Sequence, residues 1–387
     1  MLTTRREFVA AVGGLAVAHA SSAGREATRA RELLVHVGGY TERTSRPGVH
    51  QFLMDAESGA WRPTGAFDVG AEPSFLAVHP RRPVLYAVNE LTEYEGRPSG
   101  AVAAFSAAPG RVMPLGPRRA TAGGAPCYVA LDHTGRWVFV ANYLGGNVAM
   151  FRVADDGALG DAAAVLQHTG HGPDANRQAG PHAHCAIPDP TNRFLLAADL
   201  GADRIFVSRF DATKGTLVPA ATAFVATRPG AGPRHLAFHP NGRWLYVANE
   251  LDLTLATYRW DASLGELTSL GAVPMLESPP ATAAYPADVH VAPSGRFVYA
   301  SVRGDDSLVV FEIDRTTGRP TPIQRTPTGG RWPRAFAVDP SGRFLFVANQ
   351  RSNDIVRFDV DRETGSLRAT GTRIEVPAPT CIRFSGG

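Results

Sequence analysis

The chain of 387 residues carries a formal charge of +3 and is 44% hydrophobic, a balance that describes a globular protein and gives no net-charge case for nucleic-acid binding. Its only lysine is Lys214, in the turn-like run DATKGTL, which argues against Schiff-base chemistry. Its three cysteines, Cys127, Cys185 and Cys381, are an odd number without ligand spacing. They argue against a disulfide framework or a zinc site and read as small core residues.

In chain order, Thr4-Arg5-Arg6-Glu7-Phe8-Val9 forms a twin-arginine pattern, followed by an apolar stretch from Val9 to Ala20. That stretch is too short for a permanent membrane span, and Ala18-His19-Ala20 and Ser21-Ser22-Ala23 offer small-residue cleavage sites. Residues 1–25 are therefore expected to be an export signal read by the twin-arginine translocase. The mature protein would then be periplasmic or secreted. No Pro/Ser/Gly-rich or charged linker interrupts the remainder of the chain, so residues 31–387 are expected to form a single domain.

From Pro73 onward a motif returns about every fifty residues: PSFLAVHPRRPVLYAVNE at Pro73, PCYVALDHTGRWVFVANY at Pro126, PHAHCAIPDPTNRFLLAADL at Pro181, PRHLAFHPNGRWLYVANE at Pro233, PADVHVAPSGRFVYASVR at Pro286 and PRAFAVDPSGRFLFVANQ at Pro333. Such a period marks a repeat architecture. Each copy is two alternating apolar runs joined by an Asp-Pro-Ser-Gly-Arg type turn, a hairpin signature. Two further strands come after each hairpin, the first visible as AVAAFSAA and NDIVRFDVD. Four antiparallel strands per unit describe a propeller blade.

The ends of the chain set the number of blades. Pro379–Phe384 matches a first strand with nothing after it, whereas Leu33–Tyr40 and Gly48–Asp55 match a second and a third strand. The sequence thus predicts an all-β, seven-bladed β-propeller whose N- and C-terminal strands share one blade, leaving no free sheet edges.

In a propeller the first strands line a central channel, so candidate functional residues are those that break the small, apolar consensus there. The third copy carries Gln178, His182 and His184, and the fourth Arg234, His235 and Glu250. The fifth carries Asp288, His290 and Arg303, and the sixth Arg334. The turn arginines Arg136, Arg243, Arg296 and Arg343, the turn histidines His79 and His239, and Asn89, Asn142, Asn249 and Asn349 repeat in register and read as structural. His182, His184, Arg234, Glu250 and Arg303 do not repeat. Burying so many charges without partners would be costly. By alternation of strand side chains, His182 and His184 are expected to share a face.

At these residues the chain resembles the seven-bladed propeller lactonases, a family that includes the bacterial propeller-type 6-phosphogluconolactonase and the fungal carboxy-cis,cis-muconate cyclase. The resemblance rests on GGYTERTSRPGVHQF, GPHAH, ADLGADRIFVSRFD, GPRHLAFHPNGRWLYVANELD and the SVRGDDS to FAVDPSGRFLFVANQ run, and it covers the chain from Val35 onward. It implies a site at one mouth of the channel, built of a histidine (His182 or His184), Arg234, Glu250 and Arg303. Tyr128 departs from the family, in which a histidine commonly follows Pro-Cys. The apparent export signal is a second departure, since family 6-phosphogluconolactonases act in the cytoplasm.

The expected activity is hydrolysis of a sugar-type lactone without a cofactor or metal ion. Glu250 or a PHAH histidine would be the general base, and arginines would stabilise the oxyanion. His182, His184, Glu250 and Arg234 are the candidate catalytic residues. Arg303, His235, Gln178, His290 and Arg334 are the candidate substrate-binding residues. Two other readings stand beside it, a non-catalytic periplasmic scaffold or binding module and a muconate-type cycloisomerase. A scaffold would scatter the charged set around the rim, whereas an enzyme would gather it in one pocket.

Overall fold

The computed structural model describes residues 32–42, 46–278 and 282–385. The expected signal segment, residues 1–25, lies outside them, and no helix among the described residues is long and apolar enough to cross a membrane.

Seven antiparallel sheets are arranged as blades. The second blade shows the pattern, with Pro126–Leu131, Trp137–Asn142, Asn147–Val153 and Leu159–Gln167 paired in sequence order. The first blade departs from it only at its rim, where the outer strand is split into Arg111–Pro114 and Arg119–Ala120. The C-terminal Pro379–Ser385 pairs with Glu32–Gly39, and Val49–Asp55 and Trp61–Phe67 come next, which completes the seventh blade. Each first strand packs against the first strand of the next blade, and Pro379–Ser385 against Leu76–Val78 closes the ring.

The sequence pattern explains these positions. Second strands such as Val84–Asn89, Trp244–Asn249 and Phe344–Asn349 are buried along their whole length, because each sheet is covered on both faces by its neighbours. That is why they read as continuous apolar runs, and each large side chain so buried contributes roughly 1.5–3 kcal/mol. The outer strands, such as Leu367–Glu375, are mostly exposed and alternate between partly buried and exposed residues.

Polar contacts stitch blade to blade. The Tyr86, Tyr246 and Tyr299 hydroxyls donate to the carbonyls of Gly157, Gly318 and Gly365 in the following blade. In the turns, Asp132, Asp189 and Asp339 accept two or more backbone N–H groups each. His79 and His239 take the same place. Each accepts a backbone N–H on Nδ1 and meets the next blade's glycine carbonyl, Gly135 or Gly295, through Nε2.

Two local features aim side chains at the channel mouth. Glu72, Ala125, Gly232, Trp332 and Ala378, each just before a first-strand proline, adopt positive φ. Only one of these is glycine, so the turn imposes a conformation that most of its residues disfavour. Directly after the proline the ladder skips a residue. Pro126 and Tyr128 pair with Asn142 and Ala141, Pro233 and His235 with Asn249 and Ala248, and Pro333 and Ala335 with Asn349 and Ala348. In the third blade the skip falls between Ala183 and Cys185. Cys127, His184, Arg234 and Arg334 are therefore bulge residues, freed from the strand's alternation.

Candidate active site

A cavity of about 210 Å³ opens at one mouth of the channel, lined by Tyr40, Glu90, Cys127, Tyr143, Arg177, His184, Glu250, Arg303 and Arg334. All but Arg177 come from two repeat positions. One is the bulge, which supplies Cys127, His184 and Arg334. The other is the residue ending or just following a second strand, which supplies Tyr40, Glu90, Tyr143, Glu250 and Arg303. Arg177 reaches in from the loop before the third blade.

Glu250 organises one wall. Its Oε1 accepts from Arg177 Nη2 at 2.5 Å and its Oε2 from Arg303 Nη2 at 2.6 Å. Arg234 Nε lies 3.0 Å from the same Oε2 as a charge contact without hydrogen-bond alignment. Arg234 is fully buried and also donates to the Ala287 carbonyl. Arg303 donates to the Tyr285 and Pro286 carbonyls, and its guanidinium lies over the rings of Tyr285 at 5.8 Å and Trp332 at 5.6 Å.

Burial by itself would raise the Glu250 carboxyl, but Arg303, Arg234 and Arg177 outweigh it and hold the group at about 2. Burial, with Arg303 alongside, pushes Arg234 down to about 9, which still leaves it cationic at neutral pH.

The opposite wall is less saturated. Glu90 Oε2 accepts from the Tyr40 hydroxyl at 2.9 Å and lies 3.9 Å from Arg334 Nη2. Arg334 in turn stands 5.2 Å from the centre of the Tyr40 ring. Burial raises the Tyr40 phenol far above its usual range, so it remains a donor. His184 stands between the walls with its Nδ1 unpartnered. Burial, reinforced by Arg234 and other nearby cationic groups, keeps its imidazole well below the usual histidine range. With four guanidiniums and two carboxylates, the site is net positive.

Beneath the cavity the channel is plugged. The rings of Phe75, Tyr128 and His235 pack with centroids 4.3 to 5.8 Å apart, His235 edge-on to the other two, and the Arg383 guanidinium covers Phe75 at 4.6 Å. Asp288 pairs with His235 Nδ1 at 2.8 Å and His290 Nε2 at 3.1 Å, and accepts the Phe336 N–H. Among the described residues no group of three or more His, Cys, Asp or Glu is arranged to hold a metal ion.

The model of the family described as lactonase, 7-bladed beta-propeller matches residues 34–384. The chain belongs to this family. A Bacillus subtilis 6-phosphogluconolactonase is 33% identical over 90% of this chain and 97% of its own. A Formosa agariphila protein of the same name is 34% identical over 76% of this chain and 83% of its own. The solved Pseudomonas aeruginosa periplasmic gluconolactonase superposes with a TM-score of 0.84 at 32% identity, covering 92% of this chain and 99% of that one.

The propeller brings together some of the candidates read from sequence and separates others. His184, Glu250, Arg303 and Arg334 line the cavity, and Arg234 joins them through Glu250. His182 does not line it. The bulge falls between His182 and the strand proper, so its ring stacks on Tyr143 at 4.5 Å and its Nδ1 meets the Tyr143 carbonyl. Both histidine rings meet Tyr143, that of His184 edge-on at 5.7 Å, but only His184 lines the cavity. His235 and His290 sit in the plug around Asp288 rather than on the cavity wall. Gln178 is buried as a loop brace, donating to the Leu200 carbonyl and accepting from Asp174 N. Cys127, read as core, contributes to the cavity wall.

Tyr40, Glu90, Tyr143 and Arg177 were not singled out from sequence. Glu90 and Tyr143 stand at the same repeat position as Glu250, directly after the motif's Asn. Comparing that position across blades was the signal that could have found them. Arg177 lies in a loop outside the repeat and left no periodic trace.

Proposed function

We propose that this protein hydrolyses a small sugar-type lactone, as a 6-phosphogluconolactonase-like enzyme, in the cavity walled by Glu250 and its arginines. The observation that carries this reading is the convergence of Glu250, Arg177, Arg234 and Arg303 with His184 on one cavity of about 210 Å³, a volume suited to a single sugar lactone. Attack of water on the lactone carbonyl places negative charge on its oxygen. Arg303 and Arg177, fixed in advance by Glu250, supply donors that need no reorganisation when that charge forms. Arg334 is left for a carboxylate, phosphate or hydroxyl on the substrate. Glu250, with both oxygens occupied, serves this chemistry by holding guanidiniums rather than by accepting a proton. His184 is neutral at physiological pH and offers the substrate a hydrogen-bonding imidazole.

The purified protein is expected to open glucono-δ-lactone or its 6-phosphate faster than the spontaneous reaction. Arg303→Met should lower kcat by about 10²–10³-fold. No acceleration of any aldonolactone, alongside turnover of a muconate, would replace this reading with the cycloisomerase. The twin-arginine pattern at Arg5-Arg6 supports action outside the cytoplasm. A reporter fused behind residues 1–31 should lose export when both arginines become lysine.

A further inference from the structure

We propose that Glu90 is the general base of this site and that Tyr40 is its positioning residue. The inference rests on the lactonase reading and assigns a role which that reading leaves open. Lactone hydrolysis needs a group that takes a proton from water, and the cavity holds three residue side chains of the right type. Glu250 is spent, because three guanidiniums occupy both of its oxygens. His184 would become cationic on accepting a proton, in a site already crowded by Arg234, Arg303 and Arg334. Glu90 becomes neutral instead. Only its Oε2 is engaged, by the Tyr40 hydroxyl and the more distant Arg334, and Oε1 has no partner among the described residues.

The geometry suits the role. Glu90 follows the second strand of the first blade, while Glu250 and Arg303 come from the fourth and fifth. The free carboxylate oxygen and the guanidinium wall thus belong to different sides of the ring, and both line one cavity. A lactone between them would present its carbonyl oxygen to Arg303 and Arg177 and one face of its carbonyl carbon to a water on Glu90. The charged and titratable groups around Glu90 are Tyr40 and Arg334 in contact with it, and Cys127 and His184 on the adjoining wall. The Tyr40 hydroxyl, donating to Oε2, anchors the carboxylate through that oxygen and leaves Oε1 for a water.

In the first half of the reaction Glu90 takes one proton from water while the water oxygen bonds to the carbonyl carbon, and the carbonyl π pair moves onto its oxygen beside the arginines. When the carbonyl re-forms, the ring C–O bond breaks with its pair on the ring oxygen. That oxygen takes the proton back from Glu90, giving the open hydroxy acid and restoring the carboxylate. One water is consumed and no other reactant is needed.

The test is steady-state kinetics of wild type, Glu90→Gln, Glu90→Ala and Tyr40→Phe on glucono-δ-lactone and its 6-phosphate, with thermal unfolding to confirm each fold. Glu90→Gln should lose about 10²–10⁴-fold in kcat with KM little changed. Glu90→Ala should regain turnover when formate is added, because a small carboxylate can occupy the vacated space. Glu250→Ala should gain nothing from formate. Tyr40→Phe should lower kcat while retaining KM, and a carboxylate rescue should bypass the loss in the Tyr40→Phe/Glu90→Ala double variant. Wild-type turnover that survives in folded Glu90→Gln, or Glu90→Ala that ignores formate, overturns the assignment to Glu90 alone. Absence of wild-type turnover on both lactones overturns the lactonase reading, and the assignment with it.

Discussion

Replacing Glu250 with Gln should damage stability and turnover together. In the wild type the carboxylate is held at about 2, against an ordinary value of 4.5, because it is shared among Arg303, Arg234 and Arg177. That displacement corresponds to roughly 3 kcal/mol of stabilisation at neutral pH. It agrees with the roughly 3–5 kcal/mol lost when one partner of a buried ion pair is removed. Glutamine keeps the shape but not the charge, and leaves Arg234, only 1% exposed, beside Arg303 without a counter-ion. A loss near 3 kcal/mol corresponds to a melting temperature lower by roughly 4 °C in a chain of this size. A depressed carboxylate contributes its stability above its unfolded value and loses it as pH falls through its folded value. The gap between wild type and variant should therefore be full at pH 7 and narrow from about 4.5 towards 2. Calorimetry across that range measures it, and kcat should fall because the arginines are no longer aligned on the oxyanion. Adding Arg303→Met to Glu250→Gln should recover part of the stability, since the two sites are coupled. A variant that melts within about 1 °C of wild type at pH 7, with kcat unchanged, would show that Glu250 does not organise this wall.

The two histidines of the PHAH run should separate in kinetics. His184→Gln is expected to reduce kcat/KM about tenfold or more by removing a cavity group, whereas His182→Gln should act chiefly on melting temperature through the lost Tyr143 stacking. Asp288→Asn should lower the melting temperature at pH 7 by weakening the pairing of His235 and His290. Burial would raise Asp288, but His290 and His235 carry it well below the usual range, so the loss should shrink as acid protonates the wild-type carboxyl. Burial pushes His36 down to about 4 from 6.5. The unfolded chain therefore binds a proton that the folded one refuses, and stability should fall as pH drops from 6.5 towards 4. In His36→Gln, melting curves should depend less steeply on pH across that interval.

The ring was written in the repeat. Alternating apolar runs at a fixed interval require hairpins, and a blade shared between Pro379–Ser385 and Glu32–Gly39 is what an incomplete unit at each end implies. The Glu250 cluster was legible for a similar reason, because charges that break a small, apolar consensus need partners. Strand parity stops being a guide where the ladder skips a residue. A bulge that releases His184 from alternation costs nothing visible in composition, so His182 and His184 looked equivalent. His235 and His290 were recognised as unusual, but only the width of the assembled channel decided that they would fill its plug around Asp288. Tyr40 and Glu90 lie fifty residues apart, and Arg177 reaches Glu250 across seventy-three. Such contacts depend on the angle between blades, which comes from packing of whole sheets and from no local run of residues. Composition and period thus determined the number and order of the strands, while closure of the ring chose which polar side chains meet.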